Sequence, residues 1–255
     1  MPLHSKKQGQ GPALVLLHGL FGSLENLAAL ARDLQHHYTV YSIDLPNHGR
    51  SPHYSQTDLD AMTNTVIEWM AQHKIECAHL VGHSLGGKIA MQVALSKPER
   101  VDTLVVMDIA PSKYDPHHHS VFDGLFAVDV ENITSRAEAD EAMKAHVPEL
   151  SVRSFLLKNI TKAQTGHFVW RMNLPVLHKY YAELIRENAD AQFAGATFFI
   201  KGGASDYITE KNRVDIEKRF PNASYKAVAN VGHWLHAEKP ALVARLVVNF
   251  LAENS

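Results

Sequence analysis

Residues 78–95 constrain this chain more than any other stretch. Ala78-His79-Leu80-Val81 reads as a buried strand, and the run from Lys88 to Leu95 reads as a helix with apolar residues at 89, 90, 93 and 94. Between them lies Gly82-His83-Ser84-Leu85-Gly86-Gly87, which fits Gly-x-Ser-x-Gly. Strand, sharp turn and helix around that pattern are the context of a nucleophile elbow. The serine sits on a strained backbone, and glycines two before and two after it let strand and helix approach where a Cβ would clash. Its oxygen then stands at the C-terminal edge of a sheet, over a helix N-terminus that favours developing negative charge.

The rest of the chain supplies that sheet. Residues 13–17, 38–44, 78–81 and 101–107 are runs of strand length, separated by helical patterns in which Ser23 and Asp58 stand as caps. This order predicts a parallel, doubly wound sheet. The polar, glycine-rich residues 1–12 have room for one or two edge strands. From 112 to 192 the alternation stops and only helical patterns are found, starting at Ser135, Ser151 and Leu174. Strands resume at 196–200 and 223–228, with helices at 210–220 and from Pro240 onward. The expected architecture is an α/β core of residues 1–111 and 193–255, with a helical insertion over 112–192.

Composition excludes several functions. A formal charge of −2 and a pI near 6.8 leave no electrostatic footprint for nucleic acid. One cysteine, Cys77, excludes an intrachain disulfide and reads as a small core residue. No apolar h-region follows the N-terminus and no run is long enough to span a bilayer, so a cytoplasmic protein without integral membrane contact is expected. No dinucleotide fingerprint follows a strand and no Cys/His spacing fits zinc, so neither cofactor nor metal is expected. His117-His118-His119 reads as a solvated loop.

A serine hydroxyl needs a base. His233, in Asn230-Val231-Gly232-His233-Trp234, follows the last strand and so shares the sheet edge with Ser84. His18 and His83 read as loop-orienting residues. A carboxylate must orient the base. Asp108 and Asp206 both follow strands at that edge, and the residues leave the choice open. Backbone N–H groups must hold an oxyanion. Leu85 supplies one, and the loop His18-Gly19-Leu20-Phe21 the other, from Leu20 or its neighbour Phe21.

Four segments, His-Gly-Leu-Phe-Gly-Ser, Asp-Leu-Pro-Asn-His-Gly-Arg-Ser-Pro, Gly-His-Ser-Leu-Gly-Gly-Lys and Gly-His-Trp-Leu-His-Ala-Glu-Lys-Pro, occur in the chain order of the α/β-hydrolase fold. Lys88, Met107-Asp108-Ile109-Ala110-Pro111 and residues 168–174 resemble the YbfF esterases of bacteria and the ABHD11-type hydrolases. The resemblance implies a mostly parallel twisted sheet flanked by helices, with a helical cap inserted after the sixth strand. It implies a serine esterase or thioesterase acting on short- to medium-chain acyl esters, acyl-CoA among them. The usual acid loop, aligned on Ile208, puts Ser205 rather than Asp206 at the acid position. Some members lack an acid there and keep the one equivalent to Asp108, which favours Asp108 with Asp206 as the alternative.

Phe21, Phe155 and Trp170 are the apolar candidates for substrate contact, with Phe122, Leu125, Phe126, Leu156 and Phe168 as further cap residues. Lys88 and Arg171 are the candidates for an anionic substrate group. Two other readings compete: a lyase of the menaquinone-synthase type using the same residues for proton abstraction, and a non-catalytic binding protein. The expected partner is a small acyl ester or thioester, and the chain a monomer or homodimer.

Overall fold

The computed structural model describes residues 2–254. Its centre is a seven-stranded sheet built from β1 (Ser5–Gln8), β2 (Ala13–Leu17), β3 (Thr39–Ile43), β4 (Ala78–His83), β5 (Val101–Met107), β8 (Thr197–Gly202) and β9 (Ala223–Val228). The spatial order is β1-β3-β2-β4-β5-β8-β9, and every pairing is parallel except β1 with β3.

Alternate strand residues sort onto two faces, as the pleat requires. Leu14, Leu16, Val81, Val105, Met107, Phe198 and Ile200 pack under α1 (Ala28–Leu34) and α11 (Pro240–Glu253), the latter preceded by the short α10 (Leu235–Glu238). Val15, Leu17, Leu80, Leu104, Val106 and Phe199 face α2 (Leu59–Gln72), α3 (Leu85–Ser96) and α9 (Glu210–Arg219). With both faces covered, the central strands need continuous apolar runs rather than alternation. Asp58 caps α2, its carboxylate accepting from Ala61 N–H at 2.7 Å. Pro240 is the first residue of α11, where its missing N–H costs nothing.

The loop after β3 is built around a buried acid. Asp44 accepts from the N–H groups of Leu24 at 2.7 Å and Arg50 at 2.8 Å. Gly49 has φ 56°, and a Cβ there would lie 2.3 Å from the Asp44 carboxylate. The Asp-Leu-Pro-Asn-His-Gly-Arg segment is therefore scaffold.

Between β5 and β8 lie α4 (His119–Phe126), α5 (Arg136–Met143), α6 (Leu150–Leu156), β6 (Ile160–Lys162), β7 (Phe168–Trp170), α7 (Leu174–Lys179) and α8 (Tyr181–Leu184). Phe122, Leu125, Met143, Leu156, Leu177 and Leu184 join the apolar cluster on the α2/α3 face. Four details differ from the sequence expectation. Residues 2–12 hold one strand, so the insertion follows the fifth strand rather than the sixth. The insertion contains an antiparallel hairpin, β6–β7, whose three-residue strands are too short to show a period. The helical run from Leu174 breaks at Tyr180. Cys77 is half-buried rather than core; its thiol donates to Asp102 at 3.0 Å, and burial together with that carboxylate pushes its pKa up to about 11.

Candidate active site

Ser84 joins β4 to α3 with φ 51° and ψ −119°. A non-glycine residue in so sparsely populated a conformation costs about 1–3 kcal/mol and persists only when its surroundings hold it. Here Ser84 N–H donates to Met107 O at 3.0 Å, and Ser84 O accepts from Lys88 N–H at 3.0 Å. The flanking glycines are steric necessities. A Cβ on Gly82 would lie 2.3 Å from Gly86 O, and one on Gly86 would lie 2.2 Å from Leu17 O. Gly19 likewise brings the loop after β2 against the elbow, since its Cβ would meet Ser84 Cβ at 3.2 Å.

Of the two aspartates, Asp108 meets the histidine. It ends β5 at φ 53°, and its side chain has no exposure. His233 Nδ1–H donates to Asp108 Oδ2 at 2.8 Å, and Gly202 N–H donates to Oδ1 at 2.9 Å. The Ser205 hydroxyl also donates to Oδ2. A buried carboxylate needs several donors of this kind to remain charged. Asp206, in the loop after β8, is exposed, and no hydrogen bond joins it to His233. With Nδ1–H committed to Asp108, the proton-accepting nitrogen of a neutral His233 is Nε2.

Ser84 and His233 both line a cavity of about 170 Å³. Its apolar wall is formed by Leu20, Phe21, Val121, Val152, Phe155, Leu156 and Trp234. Four further histidines line it, and burial keeps each neutral. His18 is lowered to about 4, His118 and His236 to about 3, and His83 well below its usual value. His18 Nδ1–H donates to Gly19 O at 2.8 Å, while Nε2 accepts from Leu45 N–H at 3.0 Å. His83 Nε2–H donates to the His233 carbonyl at 2.8 Å, tying the elbow to the loop that carries His233.

Tyr207 and His118 are among the lining residues that the sequence did not point to. Tyr207 stacks on the His233 ring, with centroids 3.8 Å apart and planes at 17°. Its hydroxyl meets His117 Nε2 at 2.7 Å and His118 Nε2 at 3.2 Å. His118 also bonds the Tyr181 hydroxyl, so the 117–119 segment is not the solvated loop expected: its middle residue reaches the cavity. The one available signal was position, since this segment leaves the sheet at the same edge as Asp108. Among the described residues no three His, Cys, Asp or Glu side chains are grouped as metal ligands would be.

The other sequence candidates divide. Leu20 and Phe21 line the cavity, and Leu85 opens α3 beside Ser84. Phe155 and Leu156 face the cavity, whereas Phe122, Leu125 and Phe168 pack in the insertion's core and Phe126 is exposed. Trp170 lies on the hairpin away from the cavity. Arg171 pairs with Glu25, both contacts at 3.3 Å, rather than facing Ser84. Lys88 is 1% exposed, and its ammonium donates to the carbonyls of Ser112 at 2.7 Å, Pro111 at 3.3 Å and Ala110 at 3.5 Å. Burial lowers it to about 7. Lys88 thus holds the entry to the insertion; it is absent from the lining of the 170 Å³ cavity and borders a smaller one together with Leu20 and Ser84.

A family model described as the alpha/beta hydrolase fold matches residues 12–240. Esterase YbfF of Escherichia coli K12 is 36% identical over 248 residues, covering 97% of this chain and 96% of that protein. The sn-1-specific diacylglycerol lipase ABHD11 of Danio rerio is 36% identical over 253 residues, covering 96% of this chain and 80% of that protein. A solved structure of a marine microorganism esterase superposes with a TM-score of 0.95 at 32% identity, covering 98% of this chain and 99% of that one. A family match across most of the chain, with relatives above 30% identity along nearly its whole length, leaves one assignment: the chain belongs to the α/β-hydrolase family, in its esterase and lipase branch.

Proposed function

We propose that this hydrolase is a serine esterase and thioesterase, acting on short- to medium-chain acyl esters and acyl-CoA through an acyl-Ser84 intermediate. The observation that carries the reading is the His233–Asp108 pair at 2.8 Å, opening with Ser84 onto one apolar-walled cavity.

In this mechanism His233 Nε2 takes the hydroxyl proton as Ser84 Oγ attacks the acyl carbon. Asp108 holds the imidazole in its Nδ1–H tautomer and stabilises the cation that forms. The N–H groups of Leu85 and Leu20 receive the oxyanion, each such donor being worth roughly 10²–10³ in rate. His18 supports the second donor by gripping Gly19 O, the other end of the same peptide unit. His233 then returns its proton to the departing alcohol or thiol. Water enters, loses a proton to His233 and attacks the acyl carbon; collapse frees the acid and reprotonates Ser84. Phe155, Val152, Val121 and Phe21 supply the hydrocarbon wall for the acyl chain.

The test is hydrolysis of a p-nitrophenyl ester series and an acyl-CoA series by the wild type and Ser84→Ala, with covalent labelling by a serine-directed phosphonate. The expected result is loss of activity and of labelling together in the variant. Full activity in Ser84→Ala overturns the reading.

A further inference from the structure

The loop that carries the Leu20 N–H is strained and is held from two sides. Gly22 N–H donates to Gly19 O at 3.0 Å, and Phe21, the third residue of that turn, has φ 60°. This is the pattern of a type II turn, whose third position favours glycine. Phe21 carries a bulky side chain there, so the turn stays only while its surroundings hold it. Relief would come by rotating the central Leu20–Phe21 peptide roughly half a turn toward the type I form. That rotation would re-aim the Phe21 N–H, the alternative oxyanion donor, and swing the Leu20 carbonyl to the opposite side, while the Leu20 N–H stays with the preceding peptide.

The core holds the first peptide of the turn through His18 and Gly19 O. The last peptide is held by the insertion. Asn159 Nδ2 donates to Phe21 O at 2.6 Å and to Leu156 O at 3.2 Å. Two carbonyl acceptors fix the amide orientation. Asn159 is 3% exposed, and its backbone carbonyl accepts from the Arg171 backbone N–H at 2.7 Å, which anchors the residue to the β7 end. The Phe21 ring meets Phe122 edge-on, with centroids 5.0 Å apart. The Leu20 N–H therefore sits on the peptide fixed by the core, and the central peptide, which carries the Phe21 N–H, lies between that one and the peptide fixed by the cap, so the cap's hold acts on the hole through the Phe21 N–H.

We propose that Asn159 is a positioning residue for the oxyanion hole: it locks the strained turn of residues 19–22, so that the helical cap, and not the core alone, completes the hole. The inference rests on the acyl-serine reading above. It predicts a loss in transition-state binding with little change in ground-state binding.

The experiment compares wild type, Asn159→Leu, Asn159→Ser, Leu177→Ala and Ser84→Ala. It measures kcat and KM on p-nitrophenyl butyrate, inhibition by an alkyl boronic acid that forms a tetrahedral adduct on serine, and melting temperature. Asn159→Leu keeps the volume and removes the donor; Asn159→Ser serves should the leucine variant not fold. The expected result is a 10- to 100-fold fall in kcat, a KM within about twofold, and boronate affinity falling by the same factor as kcat/KM. Leu177→Ala truncates the cap core and leaves the strut in place, so it lowers melting temperature without the boronate loss. Wild-type boronate affinity and kcat in the Asn159 variants, with Ser84→Ala inactive, overturn the strut and leave the acyl-serine reading standing. An active Ser84→Ala overturns both.

Discussion

Ser205 and Asp108 face each other across the ends of β8 and β5, the Ser205 hydroxyl donating to the same carboxylate oxygen that receives His233 Nδ1–H. Ser205 is the residue that the alignment on Ile208 leads one to expect at the acid position. Asp108 reaches the histidine from the neighbouring strand, and the loop after β8 contributes donors, Ser205 Oγ and Gly202 N–H, in place of a charge.

That arrangement separates the two aspartates. Asp108→Asn keeps the shape but presents the wrong partner to Nδ1–H, and a loss of about 10³–10⁴ in kcat is expected. Asp206→Asn should stay within about twofold of wild type, because Asp206 is exposed and the His233 Nδ1–H is taken by Asp108. Parallel kcat measurements on one p-nitrophenyl ester check this. Equal losses in both variants would sink the assignment of Asp108.

Ser205→Ala removes one charge-assisted hydrogen bond from a buried carboxylate. Such a bond is worth about 1.5–3 kcal/mol, so a fall of roughly 10- to 100-fold in kcat/KM is expected, well short of the Asp108→Asn effect. Wild-type kinetics in this variant would show that Gly202 N–H alone suffices to hold Asp108.

Phe155 stands on the cavity wall beside Trp234, with ring centroids 5.7 Å apart. Phe155→Ala should enlarge the acyl pocket and move the preferred chain length up by several carbons. Each methylene newly accommodated is worth about 1–3 kcal/mol of discrimination. The kcat/KM profile across C2 to C12 p-nitrophenyl esters reads it directly; an unmoved maximum would place the acyl chain elsewhere.

Burial holds His18 at about 4 and His48 and His236 at about 3, against 6.5. The folded-state values are depressed, so below pH 6.5 the unfolded chain binds protons that the folded chain refuses. Stability is then full above pH 6.5 and declines as the pH falls toward 4. Each histidine costs at most about 2 kcal/mol between pH 7 and pH 5. Urea unfolding at the two pH values measures the loss. His48→Asn, which keeps a donor for Pro46 O and removes the titrating ring, should flatten the slope; an unchanged slope would be falsifying.

Strain marks the site as clearly as charge does. Phe21, Ser84, Asp108 and Asn230 all have positive φ without being glycine. They lie in the loop after β2, at the junction of β4 and α3, at the end of β5 and in the loop that leads to His233. Only Ser84 was legible as strained in the sequence, because the glycines around it advertise the close approach. The other three carry side chains that give no such sign.

What the sequence determined by itself is what depends on near neighbours. Apolar runs set the strands, since a parallel strand buried on both faces has no polar alternate positions. Cap residues and prolines set most helix ends in the core, and spaced glycines set the elbow. Position after the last strand singled out His233. What only the tertiary structure decided depends on groups far apart in the chain. Asp108 and His233 are 125 residues apart, Ser205 and Asp108 are 97, and Asn159 and Phe21 are 138. Two aspartates at one sheet edge look alike until the strand order puts one beside the histidine. A buried lysine looks like a substrate contact until three carbonyls surround it. The composition of residues 112–192 signals helices but not which side chains turn toward Ser84, because that orientation comes from packing the insertion on the sheet.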